Sequence, residues 1–199
     1  MARDSHSVWK DADEAVGSAI TQELEPKDGA MIHDLVHNAL NKQINAEFAA
    51  WYGYLGMAAW CSGKQFHGCA KWLRGQAQEE HSHAMKLYEF LVARNLNVQM
   101  LPLDEPRTEF ESVVDIFQEA LKSEEENTRR IHKIFELALE QKAFASLVEL
   151  QWFITEQVEE EAAARDNLAK AELVADDPAA MLDLDEILGN RELKLQAAS

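Results

Sequence analysis

At 199 residues the chain can bury the core of one domain, and a net charge of −17 excludes nucleic-acid binding through a basic surface and favours cationic partners. Hydrophobic residues make up 47%, with 8 Gly and 4 Pro, a balance that excludes disorder and suits an all-α protein. Cys61 and Cys69 lack a CxxC zinc spacing, no secretory apolar region opens the chain, and no run nears the roughly 18 apolar residues of a membrane span. A cytoplasmic protein with reduced thiols and no membrane or nucleic-acid partner is expected.

Residues 1–29 stand apart. Val8, Trp9, Ala12, Ala15, Val16, Ala19, Ile20 and Leu24 recur at helical spacing before Pro26-Lys27-Asp28-Gly29 interrupts them. They read either as an extra amphipathic helix or as a tail. Residues 30–199 then read as one helical domain without a strand. A first helix runs from about Ala30 to Trp60 with Leu40, Ile44, Trp51 and Leu55 on one period, and Cys61-Ser62-Gly63-Lys64 breaks it. A second runs from about Gln65 to Ala93. Asn95 to Arg107, with Pro102 and Pro106, is a connector. Thr108-x-x-Glu111 has the form of a capping box and predicts the start of a third helix through Phe117, Leu121, Ile131, Phe135 and Leu139. A turn near Gln141–Ala145 leads to a fourth through Leu150, Ile154 and Leu168. Asp177-Pro178 predicts the start of a short fifth helix ending near Gly189.

Six polar residues occupy positions where such helices want apolar ones: Glu47, Glu80, His83, Glu124, Gln157 and Glu160. Glu124 has Phe117, Ala120, Leu121, Asn127, Thr128 and Ile131 as helical neighbours. Glu126 has Glu119, Lys122, Ser123, Arg129, Arg130 and Lys133. Within Glu124-Glu125-Glu126 the first should therefore face the bundle and the third water. A buried carboxylate costs several kcal/mol unless it is paired or binds a metal.

Spacing ties these positions together. Glu47 and Glu80 are equidistant from residues 63–64, and Glu124 and Glu160 from residue 142, each time on a predicted break. Two antiparallel hairpins would then hold each pair of carboxylates at one height. The connector of ~14 residues reaches roughly 46 Å, enough to run back along a helix of ~29 residues, so the second and third helices could be parallel. Glu80-x-x-His83 puts a carboxylate and an imidazole on one helix face. Many carboxylates and few His suit iron better than structural zinc. His33 and His37 could also clip a metal, but their place at a helix start reads as surface. Gly53 and Gly56 read as close-packing positions.

The segments Leu40-Asn41-x-Gln43-Ile44-x-x-Glu47, Gln76-Ala77-Gln78-Glu79-Glu80-x-x-His83 and Gln151-Trp152-Phe153-x-x-Glu156-Gln157-x-Glu159-Glu160-Glu161 resemble those of prokaryotic non-haem ferritins. The likeness spans about residues 33–193. It implies a ferritin-like four-helix bundle with a long crossover between helices 2 and 3 and a short C-terminal helix. Such diiron bundles draw Glu from two helices and Glu-x-x-His from each of two others. Here the fourth helix carries Gln157-x-x-Glu160 instead.

By that resemblance Glu47, Glu80 and His83 hold one iron, and Glu80, Glu124 and Glu160 a second, with Gln157 lining the site. Glu79, Glu156 and Glu159 match a third iron site, and Tyr54 and Trp152 match aromatic electron donors. From pattern alone Tyr54 could equally be a core tyrosine, and Glu161 could face inward instead of Glu160. Bacterioferritins place a haem-ligating Met where this chain has His81, so no haem site is expected. The implied activity is a ferroxidase that oxidises Fe²⁺ with O₂ and stores Fe³⁺ inside a shell of 24 copies. A rubrerythrin-like diiron peroxidase or oxygenase lacks support, since a second Glu-x-x-His and a rubredoxin-type Cys pair are absent. A non-enzymatic metal-binding shell protein is disfavoured by the full ligand set.

Overall fold

The computed structural model describes residues 34–190, so the apolar stripe of residues 1–29 lies outside the described residues. They form α1 (Asp34–Gly63), α2 (His67–Ala93), α3 (Val113–Glu140), α4 (Phe144–Leu173) and α5 (Pro178–Gly189), with no strand among them. α1 pairs chiefly with α2 and α3 with α4, and α5 packs on α2. This is an all-α four-helix bundle with a short fifth helix.

Both hairpins turn where the spacing of the carboxylates predicts. α1 ends in a Schellman motif: Phe66 N–H donates to Cys61 O at 2.9 Å and Gln65 N–H to Ser62 O at 3.2 Å, with Gln65 at φ 68°. α3 ends the same way through Ala143 N–H to Ala138 O at 2.9 Å, with Lys142 at φ 53°. Asn95, at φ 57°, closes α2 likewise. Gln65 and Lys142 thus hold a left-handed conformation that suits glycine, whereas Asn95 is better tolerated there. Gln65→Gly and Lys142→Gly should each raise stability by about 1 kcal/mol, read as an increase in thermal midpoint.

The connector runs as a strap along α1. Asn41 and Asn45, one turn apart, offer it a ladder of side-chain amides. Asn41 Oδ1 accepts from Gln99 N–H at 2.7 Å and Asn45 Oδ1 from Leu101 N–H at 2.8 Å, while Asn45 Nδ2 donates to Gln99 O at 2.7 Å. His37 Nε2 donates to Asn97 O at 2.7 Å, so this histidine holds the strap. Further on, a Cβ at Gly56 would lie 2.8 Å from Arg107 O, and only glycine allows the strap to lie that close. Gly53 has open space around its Cβ position and is not a close-packing site. Because the strap proceeds from the start of α1 towards its end, α3 begins beside the start of α2. Trp72 and Phe117 meet there, ring centroids 5.7 Å apart. α2 and α3 therefore run parallel.

α3 starts later than Thr108-x-x-Glu111 suggests. Phe110 is buried against Trp60 with Arg107 over its ring at 4.4 Å, and this anchor holds residues 108–111 in the strap. The cap is Ser112, whose side chain accepts from Asp115 N–H at 3.2 Å while Asp115 accepts from Glu111 N–H at 2.9 Å. α5 begins as expected: Asp177 caps Ala179 and Ala180 ahead of Pro178 at the first helical position. α2 has no cap of its own. Asp185 of α5 supplies one, accepting from Gly68 N–H at 3.0 Å and Cys69 N–H at 2.7 Å. A Cβ at Gly68 would fall 1.7 Å from Asp185 O, so the helix crossing requires glycine.

The apolar core has two separate parts. Tyr54, Met57, Cys61, Trp72, Leu73, Ile116 and Phe117 gather at one end of the bundle; Leu40, Ile44, Leu87, Leu91, Ile131, Leu150 and Phe153 gather at the other. Between them every long helix buries polar side chains: Glu47 on α1, Glu80 and His83 on α2, Glu124 and Asn127 on α3, Gln157 and Glu160 on α4.

Candidate metal centre

That middle layer contains Glu47, Glu80, His83, Glu124, Gln157 and Glu160, all buried. The hairpin turns put Glu47 level with Glu80 and Glu124 level with Glu160. Glu124 is buried, whereas Glu125 and Glu126 are both half-buried, so Glu126 is less exposed than its charged neighbours suggest. Glu160 is the inward residue of its pair: it is 8% exposed, while Glu161 is half-buried and bonds Arg165 at 2.7 Å.

Ligand-type atoms of Glu47, Glu80 and His83 lie within 4.8 Å of one another, and so do those of His83, Glu156 and Glu160. Two trios thus share one imidazole. Glu124 belongs to neither and is held by neighbours. Tyr54 hydroxyl donates to its Oε1, and Gln157 Nε2 to its Oε2 at 3.3 Å. Glu79 and Glu156 are half-buried and Glu159 is exposed, and of these Glu156 reaches the buried His83 and Glu160. Trp152 is half-buried, its ring meeting His83 edge-on at 5.4 Å, with Lys86 Nζ 4.8 Å from its centroid. His81 lies between Phe48 and Trp51, with ring centroids at 5.8 and 6.0 Å.

Hydrogen bonding is uneven across the layer. Glu47 accepts from Gln43 Nε2 at 2.7 Å and from Asn127 Nδ2 at 3.2 Å. Glu160 accepts from Gln76 Nε2 at 3.2 Å, and the same amide donates to Glu79. By contrast, both carboxyl oxygens of Glu80 and Nδ1 of His83 are buried without a hydrogen-bond partner. Leaving such groups unsatisfied costs several kcal/mol in aggregate, a cost that bound cations would relieve.

Electrostatics points the same way. Burial, reinforced by Glu124 and Glu47, pushes the Glu80 carboxyl well above the usual range. Burial raises Glu124 to about 7, with the hydrogen bonds from Tyr54 and Gln157 pulling back. Burial and then the charges of Glu124, Glu79 and Glu156 raise Glu160 to about 9. Burial lowers His83, favouring the neutral imidazole that can ligate. Without a cation, Glu160 retains its proton at neutral pH and Glu124 is only partly ionised, and a divalent ion would displace such protons.

Gln43, Gln76 and Asn127 are polar contributors beyond the predicted site residues. Their signal was periodicity: Gln43 and Gln76 precede Glu47 and Glu80 by four residues, and Asn127 follows Glu124 by three. Each lies on a carboxylate's own stripe.

Comparison with known proteins agrees with this architecture. A ferritin-like domain model matches residues 37–174. The bacterial non-heme ferritin of Staphylococcus aureus (strain MRSA252) is 34% identical over 153 residues, spanning 77% of this chain and 92% of that protein. The open-pore ferritin of the hyperthermophilic archaeon Archaeoglobus fulgidus superposes with a TM-score of 0.80 at 40% identity, covering 82% of this chain and 99% of that one. A closed form engineered from the same archaeal protein superposes at 0.79, also at 40% identity, over 81% and 99%. The chain belongs to the ferritin family, among its prokaryotic non-haem members.

Proposed function

We propose that this protein stores iron and that the buried polar layer is an intrasubunit ferroxidase centre for two ferrous ions. The observation that carries this reading is the set of orphaned atoms. Both oxygens of Glu80 and Nδ1 of His83 are buried without a hydrogen-bond partner, and a ligand-type atom of Glu47 lies within 4.8 Å of theirs. Glu47, Glu80 and His83 would take one ion. Glu80, whose carboxyl feels the charges of both Glu47 and Glu124, would share its second oxygen with another ion held by Glu124 and Glu160, with Gln157 beside it. Glu79, Glu156 and Glu159 would take a third cation at the border of the layer. Family membership supports iron as the ion.

Iron is the substrate here and brings the redox chemistry: two Fe²⁺ each give one electron to O₂ and leave as Fe³⁺. The protein's part is to hold the ions together, exclude water and exchange protons. Glu80, Glu124 and Glu160 release protons as cations arrive and present the hard, charged oxygens that Fe³⁺ favours over Fe²⁺. Tyr54 donates its hydroxyl hydrogen to Glu124, so an electron drawn from the phenol could leave while its proton passes to that carboxylate. Trp152 is less suited to the same task, because the Lys86 ammonium over its ring disfavours a ring cation.

The oxidised product would be stored in a hollow homo-oligomeric shell of 24 copies in the cytoplasm. The described residues contain no helix long and apolar enough to cross a membrane. Residues 1–29 precede every proposed ligand, so their role would be in assembly. The test is aerobic addition of Fe²⁺ followed by size exclusion. Storage predicts iron eluting with an assembly of hundreds of kilodaltons. Oxidation without retained iron, or a small oligomer, would favour a rubrerythrin-like enzyme, and retention without oxidation a passive metal-binding shell.

A further inference from the structure

Asn127 is buried, 2% exposed, where α1, α3 and α4 meet. Its Nδ2 donates to Glu47 Oε2 of α1 at 3.2 Å and to Gln157 Oε1 of α4 at 3.4 Å. Its Oδ1 accepts from Gln43 Nε2 at 2.5 Å, and Gln43 also donates to the other oxygen of Glu47. Gln157 in turn donates to Glu124 Oε2. Three amides therefore form one circuit, with Glu47 at one end and the Glu124–Tyr54 pair at the other.

From this circuit we infer that Asn127 is a positioning residue for the metal centre: it fixes Glu47 directly and Glu124 through Gln157 before any cation arrives. The inference rests on the reading of the layer as a metal centre and adds a division of labour within it. The carboxylates of α1 and α3 are held in place by amide donors, whereas both oxygens of Glu80 and Nδ1 of His83 on α2 receive no hydrogen bond. An amide suits the hub because it donates to a carboxylate while accepting from Gln43. A carboxylate there would repel Glu47, and a leucine would leave it held by Gln43 alone. Orienting ligands ahead of binding lowers the entropy that the cation must offset.

The test uses Co²⁺, which is stable to air and reports its coordination by visible absorption. Its affinity is measured in the full-length protein, in Asn127→Leu, in Glu47→Gln and in the double variant. Loss of such an outer partner typically weakens metal binding about 10–100-fold, so Asn127→Leu should weaken Co²⁺ binding by roughly tenfold or more. In the Glu47→Gln background the same change should have a smaller effect, because the share transmitted through Glu47 is lost and only that through Gln157 and Glu124 remains. Gln43→Met, which removes donors to both partners at similar volume, should show the same coupling even if Asn127→Leu folds poorly. The KM for Fe²⁺ should rise more than kcat falls. Equal losses in both backgrounds would mean a merely structural role, and no loss in either would remove Asn127 from the site. If Glu47→Gln itself left Co²⁺ binding unchanged, the metal-centre reading would fall, and the inference with it.

Discussion

Glu80→Ala is expected to lower the initial rate of aerobic Fe²⁺ oxidation by more than about 100-fold, beyond the range of about 10–100-fold typical for residues outside the metal's own shell. The variant removes the residue whose two buried oxygens have no partner and which would touch both ions. Glu124→Ala should also be severe but less so, since it removes a terminal carboxylate from one ion only. Folding of the metal-free protein should survive both changes, and Glu80→Ala should stabilise it, because a buried and unsatisfied carboxyl is removed. Stopped-flow absorbance measures the rates. If Glu80→Ala were milder than Glu124→Ala, the shared position assigned to Glu80 would be wrong.

Metal-free protein should lose stability as pH rises from about 6 to about 9. Glu124 goes from 4.5 to about 7 and Glu160 from 4.5 to about 9, with Glu80 raised too, so the folded state binds more protons than the unfolded one across this interval. Stability then falls with each unit of pH until the folded carboxyls have ionised. His83 contributes with opposite sign, because its folded value lies below 6.5, but only at and below that pH. A divalent cation reverses the trend. It binds the deprotonated carboxylates, so the stabilisation it confers should grow with pH and its uptake should release protons. Thermal midpoints of chelator-treated protein with and without Co²⁺ check both statements. A midpoint that does not change between pH 6 and pH 9 in the absence of metal would contradict them.

Much of the architecture was legible because it follows from spacing. The equal distances of Glu47 and Glu80 from residues 63–64, and of Glu124 and Glu160 from residue 142, located both hairpin turns, and Lys142 is the left-handed residue of the second. Helical period identified Glu124 as the buried member of its triplet. It did not separate Glu160 from Glu161, whose stripes both border apolar residues; tertiary packing places Glu160 inward.

What escaped the sequence depends on partners far along the chain. The strap is held by Asn41 and Asn45 across 54 to 58 residues, and side-chain-to-backbone ladders of that kind leave no local pattern. Thr108-x-x-Glu111 has the form of a cap, yet Phe110, anchored on Trp60, holds it in the strap and leaves the cap to Ser112. Asn127 stood among the neighbours of Glu124 as one more polar residue. Its significance arises only when α1 and α4 bring Glu47 and Gln157 to it. Glu79, Glu156 and Glu159 came from resemblance alone; Glu156 lies beside His83 and Glu160, whereas Glu159 is exposed.

Under the proposed function two iron ions bind inside one subunit, on either side of Glu80. Crystals soaked anaerobically in Fe²⁺ and measured at the iron absorption edge test it most directly. The account predicts two anomalous peaks roughly 3.5–4 Å apart, the spacing usual for paired catalytic metals, one beside Glu47 and His83 and the other beside Glu124 and Glu160, with Glu80 between them. Iron confined to Glu79, Glu156 and Glu159, or no iron in the buried layer, would contradict it.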